Sequence, residues 1–270
     1  MTTSTVRSRG LEWFERLTGT TAGPIGSILS AEASLGGEPA RFLAVVPDPA
    51  GKFPRAHGGE AGLEEGWHLA AEIRETVAAD ADRAAKRPVI AVVDVPSQAY
   101  GYREELIGLH QALAAATGAY ATARLAGHPV VAFIVGKAIS GAFLAHGLQA
   151  NRLVALDNDA VQVQVMSKEA TARITRRTIA ELDEAATKIP ATAYDGASFA
   201  KLGALHRLLP GDADTTTVRD TLAEAVADAR KEPRGLSGRL ASLEALHSRA
   251  ASVEVRRRLA AAWQDGKGPR

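Results

Sequence analysis

The pattern of apolar and polar positions predicts a sheet-forming region in the first part of the chain. Apolar residues alternate over 25–34 and 40–47, which is typical of strands, and Gly36-Gly37 between them favours a hairpin. The segment 88–95 (PVIAVVDV) is continuously apolar, as in a parallel strand that is covered on both faces. The sequence therefore predicts a sheet with at least one buried parallel strand.

Helical spacing predicts three helices in the same region, over 6–17, 63–83 and 102–126. A loop rich in Gly, Pro and charge covers 48–62, and a Pro-containing turn covers 96–98. Ala is abundant and aromatic residues make up only 5% of the chain, so we expect closely packed helices with small side chains.

The segment 128–156 carries the most specific local pattern. It predicts a buried strand over 129–135, a tight turn over 136–140, a short helix that opens at Gly141 and a strand over 152–156. The turn would aim backbone N–H groups at one point in front of a helix, where they have no internal partner. Such a point stabilises an anion, or an oxyanion that forms during acyl chemistry.

The two predicted turns belong to one βαβ unit. Strands 88–95 and 129–135 flank the long helix, so both would end at the same edge of the sheet. Ligands of open α/β sheets bind outside the carboxyl ends of strands. We therefore expect turns 96–98 and 136–140 to lie side by side.

The C-terminal third reads as almost entirely helical. A short strand is predicted over 160–166, followed by helical segments over 168–189, 194–202, 216–231, 236–248 and 253–263. With no internal repeat and no low-complexity linker, we expect one domain over 1–270. Its core would cover about 25–210 and a helical extension about 211–270.

Composition excludes several classes of protein. The 270 residues include no Cys, which removes disulfides, thiolate metal sites and a Cys nucleophile, and no His pair has zinc-protease spacing. A net charge of +1 gives no case for nucleic-acid or membrane binding. The N-terminus lacks the apolar stretch of a secretory signal, and no apolar run approaches a membrane span. We expect a cytoplasmic protein without a metal site.

Three stretches resemble the crotonase-like carboxyltransferases, and within them the gamma subunit of biotin-independent malonate decarboxylase. They are VVDVPSQAYG, AAATGAYATARLAGHPVVAFIVGKAISGAFLAHG and VQVMSKEATARITRRT. Biotin-dependent relatives usually carry Gly-Gly at Ser140-Gly141 and a Met-Gly-x-Glu-Gly-Ala segment at 166–171, so these departures favour the decarboxylase. The resemblance implies an α/β fold of the ClpP/crotonase type, a spiral of ββα units with a βαβ core and a helical C-terminal region.

The resemblance also implies a reaction and partners. A malonyl thioester on an acyl carrier protein would lose CO2 and become an acetyl thioester, at a site shared with a homologous beta subunit. The substrate would hang on the phosphopantetheine-type, dephospho-CoA-derived arm of the carrier, which an acyl-carrier transferase alpha subunit would serve. No cofactor is expected on this chain itself. By resemblance, this chain faces the carboxyl group and contributes half of the site.

Candidate site residues follow from the chemistry of decarboxylation. The enolate places charge on the thioester oxygen, which backbone N–H groups can stabilise; the candidates are Ser140, Gly141, Ala142, Ser97 and Gln98, and the Gln98 side chain could also donate to the substrate carboxylate. For substrate or carrier binding the candidates are Lys137, Tyr100, Arg173 and Arg176. The proton for the carbanion could come from His146, Tyr100, water or the partner subunit.

Three alternatives remain open at this stage. The chain could be a carboxyltransferase subunit of a biotin enzyme, or a non-catalytic scaffold that completes a partner's active site. A hydrolase that uses Ser140 is a weaker alternative, because Ala138 and Ala142 occupy the Gly positions of the G-x-S-x-G motif.

Overall fold

Strands and helices alternate through the part of the chain that the structure describes. The computed structural model describes residues 7–20, 26–232, 234–240, 249–264 and 266. The strands are β1 (Ile28–Leu35), β2 (Glu38–Val45), β3 (Val89–Val95), β4 (Val130–Ile139), β5 (Arg152–Asp157), β6 (Gln162–Gln164) and β7 (Arg207–Pro210). The helices are α1 (Arg9–Thr18), α2 (Leu63–Ala79), α3 (Tyr102–Ile107), α4 (Leu109–Leu125), α5 (Ser140–Ala145), α6 (Lys168–Thr175), α7 (Ile179–Lys188), α8 (Gly196–Lys201), α9 (Thr215–Ala229) and α10 (Ala250–Gln264).

One sheet organises these elements, in the order β1-β2-β3-β4-β5-β7, with β6 paired to β4. β1 and β2 are antiparallel across Gly36-Gly37, where both glycines have positive φ, so the predicted hairpin is confirmed. The remaining pairs are parallel, from β2–β3 to β5–β7. The predicted βαβ unit is present as β3, α3, α4 and β4.

Small side chains let the helices approach each other closely. A Cβ on Gly66 of α2 would lie 2.5 Å from the backbone of Ala112 in α4, so the two helices touch through their main chains. Ala116, Ala119 and Ala123 of α4 are fully buried. The low aromatic content therefore corresponds to close helix packing, as the composition predicted.

β4 carries two extra residues relative to β3. Val93 pairs with Ile134 and Val95 pairs with Ala138, so one residue of β3 faces three residues of β4. β4 also changes its other neighbour there, because its first half pairs with β5 and its last three residues pair with β6. The irregularity is a bulge that redirects the end of β4.

The carboxylate of Asp94 occupies this bulge. Its Oδ1 accepts from the N–H of Lys137 at 3.0 Å, and its Oδ2 accepts from the N–H of Gly10 at the start of α1 at 3.1 Å. A side chain on Gly136 would overlap the carboxylate, so glycine is required for this approach. Asp94 thus holds β3, β4 and α1 together at the carboxyl edge of the sheet.

The prediction of a turn over 136–140 was wrong. β4 remains a strand as far as Ile139, and α5 begins at Ser140 rather than at Gly141. The bulge explains the error, since a bulged strand contains the small residues that are also typical of turns.

Two predicted helices are each divided by a residue with positive φ. The helix expected over 102–126 breaks at Gly108 (φ 103°), and the segment over 168–189 breaks at Arg176 (φ 55°). Periodicity alone does not detect a single left-handed residue.

The C-terminal third is less uniformly helical than predicted. β7 was missed, and the predicted helix over 194–202 shortens to Gly196–Lys201 behind a 3-10 turn at Pro190–Thr192. The helix predicted over 236–248 begins as a 3-10 turn at Ser237–Leu240, and the rest of it lies outside the described residues. α9 and α10 agree with the prediction to within a few residues, while the single-domain division stays a prediction.

α9 is fastened to the sheet by an ion pair. Asp228 accepts from the Nε of Arg152 on β5 at 2.6 Å and from the Nζ of Lys231 at 3.0 Å. The hydrogen bond from Arg152, followed by that from Lys231, lowers the pKa of Asp228 to about 2. Because Arg152 is buried, the pair connects α9 to the interior.

We predict that Asp228→Ala lowers the free energy of unfolding by about 2 kcal/mol at pH 7. The folded pKa lies below the unfolded value, so this stabilisation is present above about pH 4 and is lost as the pH falls toward 2. Urea unfolding at pH 7 and pH 3 measures the difference. The exposed Asp212→Ala is the control, and an equal loss in both variants would contradict the assignment.

Candidate active site

The two segments predicted to lie side by side do meet. The Oγ of Ser140, at the start of α5, donates to the Oε1 of Gln98, which follows β3, at 3.4 Å. The expectation that the two segments lie side by side is therefore confirmed.

Gly141 has no side chain, and we call the space where its Cβ would lie the notch. A Cβ on Gly141 would overlap the Oε1 of Gln98. The side-chain carbonyl of Gln98 therefore occupies the space beside the backbone of Gly141. The absence of a side chain is what makes this backbone accessible.

The backbone of Ser140 has an uncommon conformation. Its φ is 65°, and it follows the extended residue Ile139 directly. A non-glycine residue in the left-handed region costs about 1–3 kcal/mol and is concentrated at functional sites. α5 has only six residues, so its free N–H groups, rather than a long helix dipole, supply the positive potential.

The turn over 96–98 is held by a short parallel bridge to Ala61. The N–H of Ala61 donates to the carbonyl of Ser97 at 3.0 Å, and the N–H of Ala99 donates to the carbonyl of Ala61 at 2.8 Å. This bridge leaves the N–H groups of Ser97 and Gln98 out of its hydrogen bonds, so it fixes the turn without consuming its donors.

A buried carboxylate stabilises the bridge through the neighbouring residue Gly62. Glu65 of α2 is 3% exposed, accepts from the N–H of Gly62 at 2.9 Å and accepts from the hydroxyl of Ser27. Gly62 adjoins Ala61, so this network ties the turn over 96–98 to α2 and β1.

An apolar cavity of about 270 Å³ opens beside Ser140 and Gly141. It is enclosed by side chains from α5, β6, the 190–193 turn and α8. The lining residues are Ser140, Gly141, Phe143, Leu144, Leu148, Val163, Gln164, Val165, Pro190, Ala191, Ala193, Phe199 and Leu202. Ala142 is fully buried and is not among them, so of the three candidate N–H groups on α5 those of Ser140 and Gly141 border the cavity.

The candidate binding residues lie farther out. Lys137 is exposed and lines a separate polar crevice with Arg9 and Asp159, while Tyr100 is 56% exposed. Arg173 and Arg176 are exposed at the end of α6. The structure therefore brings together Ser140, Gly141, Ser97 and Gln98. It places none of the candidate binding residues Lys137, Tyr100, Arg173 and Arg176 in the cavity wall.

His146 is a structural residue. It is fully buried, its Nε2 lies 3.0 Å from the carbonyl of Val92, and its Nδ1 lies 2.9 Å from the hydroxyl of Tyr120. Since a carbonyl only accepts, Nε2 carries the proton, Nδ1 accepts from Tyr120, and both ring nitrogens are occupied. The suggestion that His146 protonates the carbanion was wrong.

The same arrangement removes support for a serine hydrolase. The Oγ of Ser140 meets an amide oxygen, which is not a general base, and His146 is turned away into the core.

Several large apolar side chains are exposed in this part of the chain. They come from the segments that follow β3, β4 and β6, and we call them the apolar rim: Tyr100, Tyr102, Leu106, Ile107, Leu144, Val165, Ile174, Ile179 and Ile189. Where such side chains adjoin, exposed apolar surface marks interaction sites.

Among the described residues, no group of three or more His, Cys, Asp or Glu side chains could hold a metal ion. In the same part of the chain, no helix is both long enough and apolar enough to cross a membrane.

Comparisons with known proteins show the family of the chain. The family model for the malonate decarboxylase gamma subunit matches residues 56–263. The chain belongs to this family. The chain is 53% identical to a subunit of a Pseudomonas malonate decarboxylase hetero-tetramer in complex with coenzyme A, with a TM-score of 0.88 over 95% of this chain and 100% of that one.

Two further relatives extend the comparison. A Pseudomonas MdcD-MdcE hetero-dimer is 53% identical, with a TM-score of 0.86 over 95% of this chain and 100% of the matched one. The malonyl-S-ACP:biotin-protein carboxyltransferase MADD of Malonomonas rubra is 35% identical over 67% of this chain. The match spans 62% of that relative's length. The predicted crotonase-like α/β fold is confirmed by these neighbours.

Sequence reasoning missed the groups that support and enclose the site. Asp94 had a visible signal, because it is the one charged residue within the apolar run 88–95. Glu65 and the cavity wall around Val163 and Phe199 had none, since tertiary packing alone brings them to the site.

We predict that His146 makes the protein sensitive to mild acid. Burial lowers the pKa of His146 to about 4, below the unfolded value near 6.5, so the unfolded chain takes up a proton first. Stability is then lost as the pH falls from about 6.5 to 4, by about 2 kcal/mol between pH 7 and pH 5. Urea unfolding of the wild type and of His146→Gln tests this.

His146→Gln cannot titrate and should show a flatter pH dependence, although it is less stable at pH 7. The control is His68→Gln on the exposed surface of α2, which should keep the wild-type slope. A wild-type slope in His146→Gln would contradict the prediction.

Proposed function

We propose that this chain, together with a homologous beta subunit, decarboxylates a malonyl thioester on an acyl carrier protein to an acetyl thioester and CO2. The observation that carries the proposal is the contact of Gln98 with the Gly141 notch, where the turn after β3 meets the start of α5. Family membership gives this site its reaction class.

The names of the relatives support the substrate and the partner. One solved relative is a hetero-dimer and another is a hetero-tetramer with coenzyme A bound, which contains the same kind of thiol arm as a carrier protein. The Malonomonas relative is named for malonyl-S-ACP. We infer a carrier-bound substrate on a phosphopantetheine-type, dephospho-CoA-derived arm, with an alpha subunit that serves the carrier.

The proposed role of the chain is to stabilise the enolate. When the bond between C2 and the carboxyl carbon breaks, its electron pair moves to C2 and the thioester oxygen, and CO2 leaves. N–H groups of Ser140 and Gly141, with those of Ser97 and Gln98, can donate to that oxygen. One such donor contributes about 3–4 kcal/mol to barrier lowering in other acyl-transfer sites.

In this proposal the substrate displaces the Gln98 side chain from the notch. Its Oε1 now occupies the notch, and the thioester oxygen would replace it there. The displaced side chain could turn its amide N–H groups toward the substrate carboxylate, which would hold the carboxylate out of the thioester plane. The carbanion then takes a proton from Tyr100, from water or from the partner subunit.

The surface around the site suits a protein partner and a carrier. The apolar rim would be covered by the homologous subunit, which would complete the active site. Arg173 and Arg176 are exposed beside the rim, and with Lys137 and Tyr100 they are the proposed contacts for an acidic carrier and its arm.

A biotin-dependent carboxyltransferase is the second candidate, because the Malonomonas relative is named as acting on a biotin protein. Assay of the complex with avidin present separates the two. CO2 release that avidin does not inhibit supports the decarboxylase, and avidin-sensitive carboxyl transfer supports the alternative.

We predict that Gly141→Val lowers CO2 release from malonyl carrier protein by about 100-fold or more, because the new side chain fills the notch. Ser140→Ala should cost only a few-fold, since the backbone donors remain. Gel filtration checks that both variants still assemble. An assembled Gly141→Val complex with full activity would favour a scaffold role, and inactive Ser140→Ala would favour a hydroxyl-dependent mechanism.

We predict that Leu106→Glu in the apolar rim weakens assembly with the beta subunit at least tenfold, because a carboxylate would be buried in the interface. Leu106 is 70% exposed in the free chain, so the variant should fold normally. Leu125→Glu is the matched control. Leu125 is 58% exposed at the end of α4, on the opposite edge of the sheet. Binding titrations should show a loss for Leu106→Glu alone, and equal affinities would remove the rim from the interface.

A further inference from the structure

The cavity beside Ser140 and Gly141 has walls that do not suit an anion. None of its lining side chains is charged, and the two polar ones are Ser140 and Gln164. Gln164 is already satisfied, because its Nε2 donates to the carbonyls of Ala191 and Ala193 and its Oε1 accepts from the N–H of Val165 at 2.8 Å. The walls away from α5 therefore present almost only hydrocarbon.

The position of the cavity relates it to the bond that breaks. If the thioester oxygen lies in the Gly141 notch, the other two atoms bonded to its carbonyl carbon lie two bonds from that oxygen. These are the sulfur of the carrier arm on one side and C2 with its carboxyl group on the other. Because Gly141 borders both the notch and the cavity, either group is near the hydrocarbon walls.

We propose that the cavity receives the carboxyl group as it leaves, and that its ligand is CO2. This inference rests on the proposed function. The bond between C2 and the carboxyl carbon breaks, its two electrons pass to C2 and the thioester oxygen as the enolate, and the neutral CO2 enters the cavity. C2 then takes one proton, which gives the acetyl thioester.

The polarity of the walls favours this direction of charge movement. The cavity walls cannot replace the hydration of a carboxylate, whereas CO2 requires no such compensation. The Gln98 amide, the proposed donor to the carboxylate, is not part of these walls. The walls therefore stabilise the transition state, in which charge is leaving the carboxyl group, more than they stabilise the bound carboxylate. Such a difference lowers the barrier to decarboxylation. CO2 held away from the enolate also cannot add back to C2 before the proton arrives.

The carrier arm fits the walls less well than CO2. A phosphopantetheine-type arm contains amides, and the polar groups of Gln164, Ala191 and Ala193 are occupied with each other. The cavity volume of about 270 Å³ is ample for a three-atom molecule, given that a water takes about 30 Å³ of liquid. Because Leu144 and Val165 are partly exposed at its edge, the cavity is open until a partner covers it.

Filling the cavity from two walls tests the proposal in the assembled complex. Val163→Phe fills it from β6, and Ala191→Leu fills it from the exposed 190–193 turn, where folding is least at risk. Ala186→Leu is the matched control, because Ala186 is half-buried beside a neighbouring polar cavity. Two rates are measured for each variant: CO2 release from malonyl carrier protein, and deuterium exchange at C2 of acetyl carrier protein in D2O.

Deuterium exchange forms the same enolate without CO2. Its rate therefore depends on the notch, whereas CO2 release depends on both the notch and the cavity. We expect both filled variants to release CO2 about tenfold more slowly while exchange stays within about twofold of wild type, and Ala186→Leu to change neither rate. Normal CO2 release in both filled variants would overturn the proposal. So would an equal fall of both rates, or a raised KM for the carrier with kcat unchanged, which would assign the cavity to the arm. If the unsubstituted complex exchanges deuterium but releases no CO2, the proposed function itself fails.

Discussion

The hydrogen bond between the carboxylate of Asp94 and the N–H of Lys137 is the interaction on which the site depends. A parallel strand that ran straight would continue its pairing with β5 and carry residue 140 past the sheet edge. The bulge in β4 redirects it instead, and the carboxylate satisfies the N–H that the bulge leaves outside the ladder. Because the second oxygen accepts from Gly10, the same group also positions α1. Gly136 is the residue that makes room for it.

Several features of the site follow from that redirected strand. The last three residues of β4 pair with β6 rather than β5, which places Val163 next to the path of α5 and closes one wall of the apolar cavity. The change from strand to helix then takes place at Ser140, which has a left-handed backbone conformation. The notch at Gly141 consequently faces Gln98, whose turn is fixed independently by Ala61. The bulge in β4 and the bridge to Ala61 thus fix the two sides of the same contact.

The sequence was sufficient to predict what depends on periodicity and on local chemistry. The buried run 88–95, the Gly36-Gly37 hairpin and the approach of Ser97-Gln98 to Ser140-Gly141 follow from apolar patterning and from the rule that parallel strands end at one edge. What could not be predicted depends on single dihedral angles or on distant contacts. Gly108 and Arg176 end helices through one positive φ, and the cavity exists only because β6, the 190–193 turn and α8 pack against α5. His146 shows the same limit, since its role is set by Tyr120 and Val92.

The site divides its chemistry unevenly between donors and apolar walls. For the proposed reaction, this chain offers backbone N–H groups, which cannot titrate and are fixed before the reaction, beside hydrocarbon surface. The candidate cations Lys137, Arg173 and Arg176 lie outside the cavity wall. A site that places charge on one oxygen and removes it from a carboxylate needs this asymmetry, because a cation beside the carboxylate would stabilise the substrate and oppose bond cleavage. The groups that hold the carrier and deliver the proton are therefore best placed at the rim or on the partner, where they can act without stabilising the carboxylate that must leave.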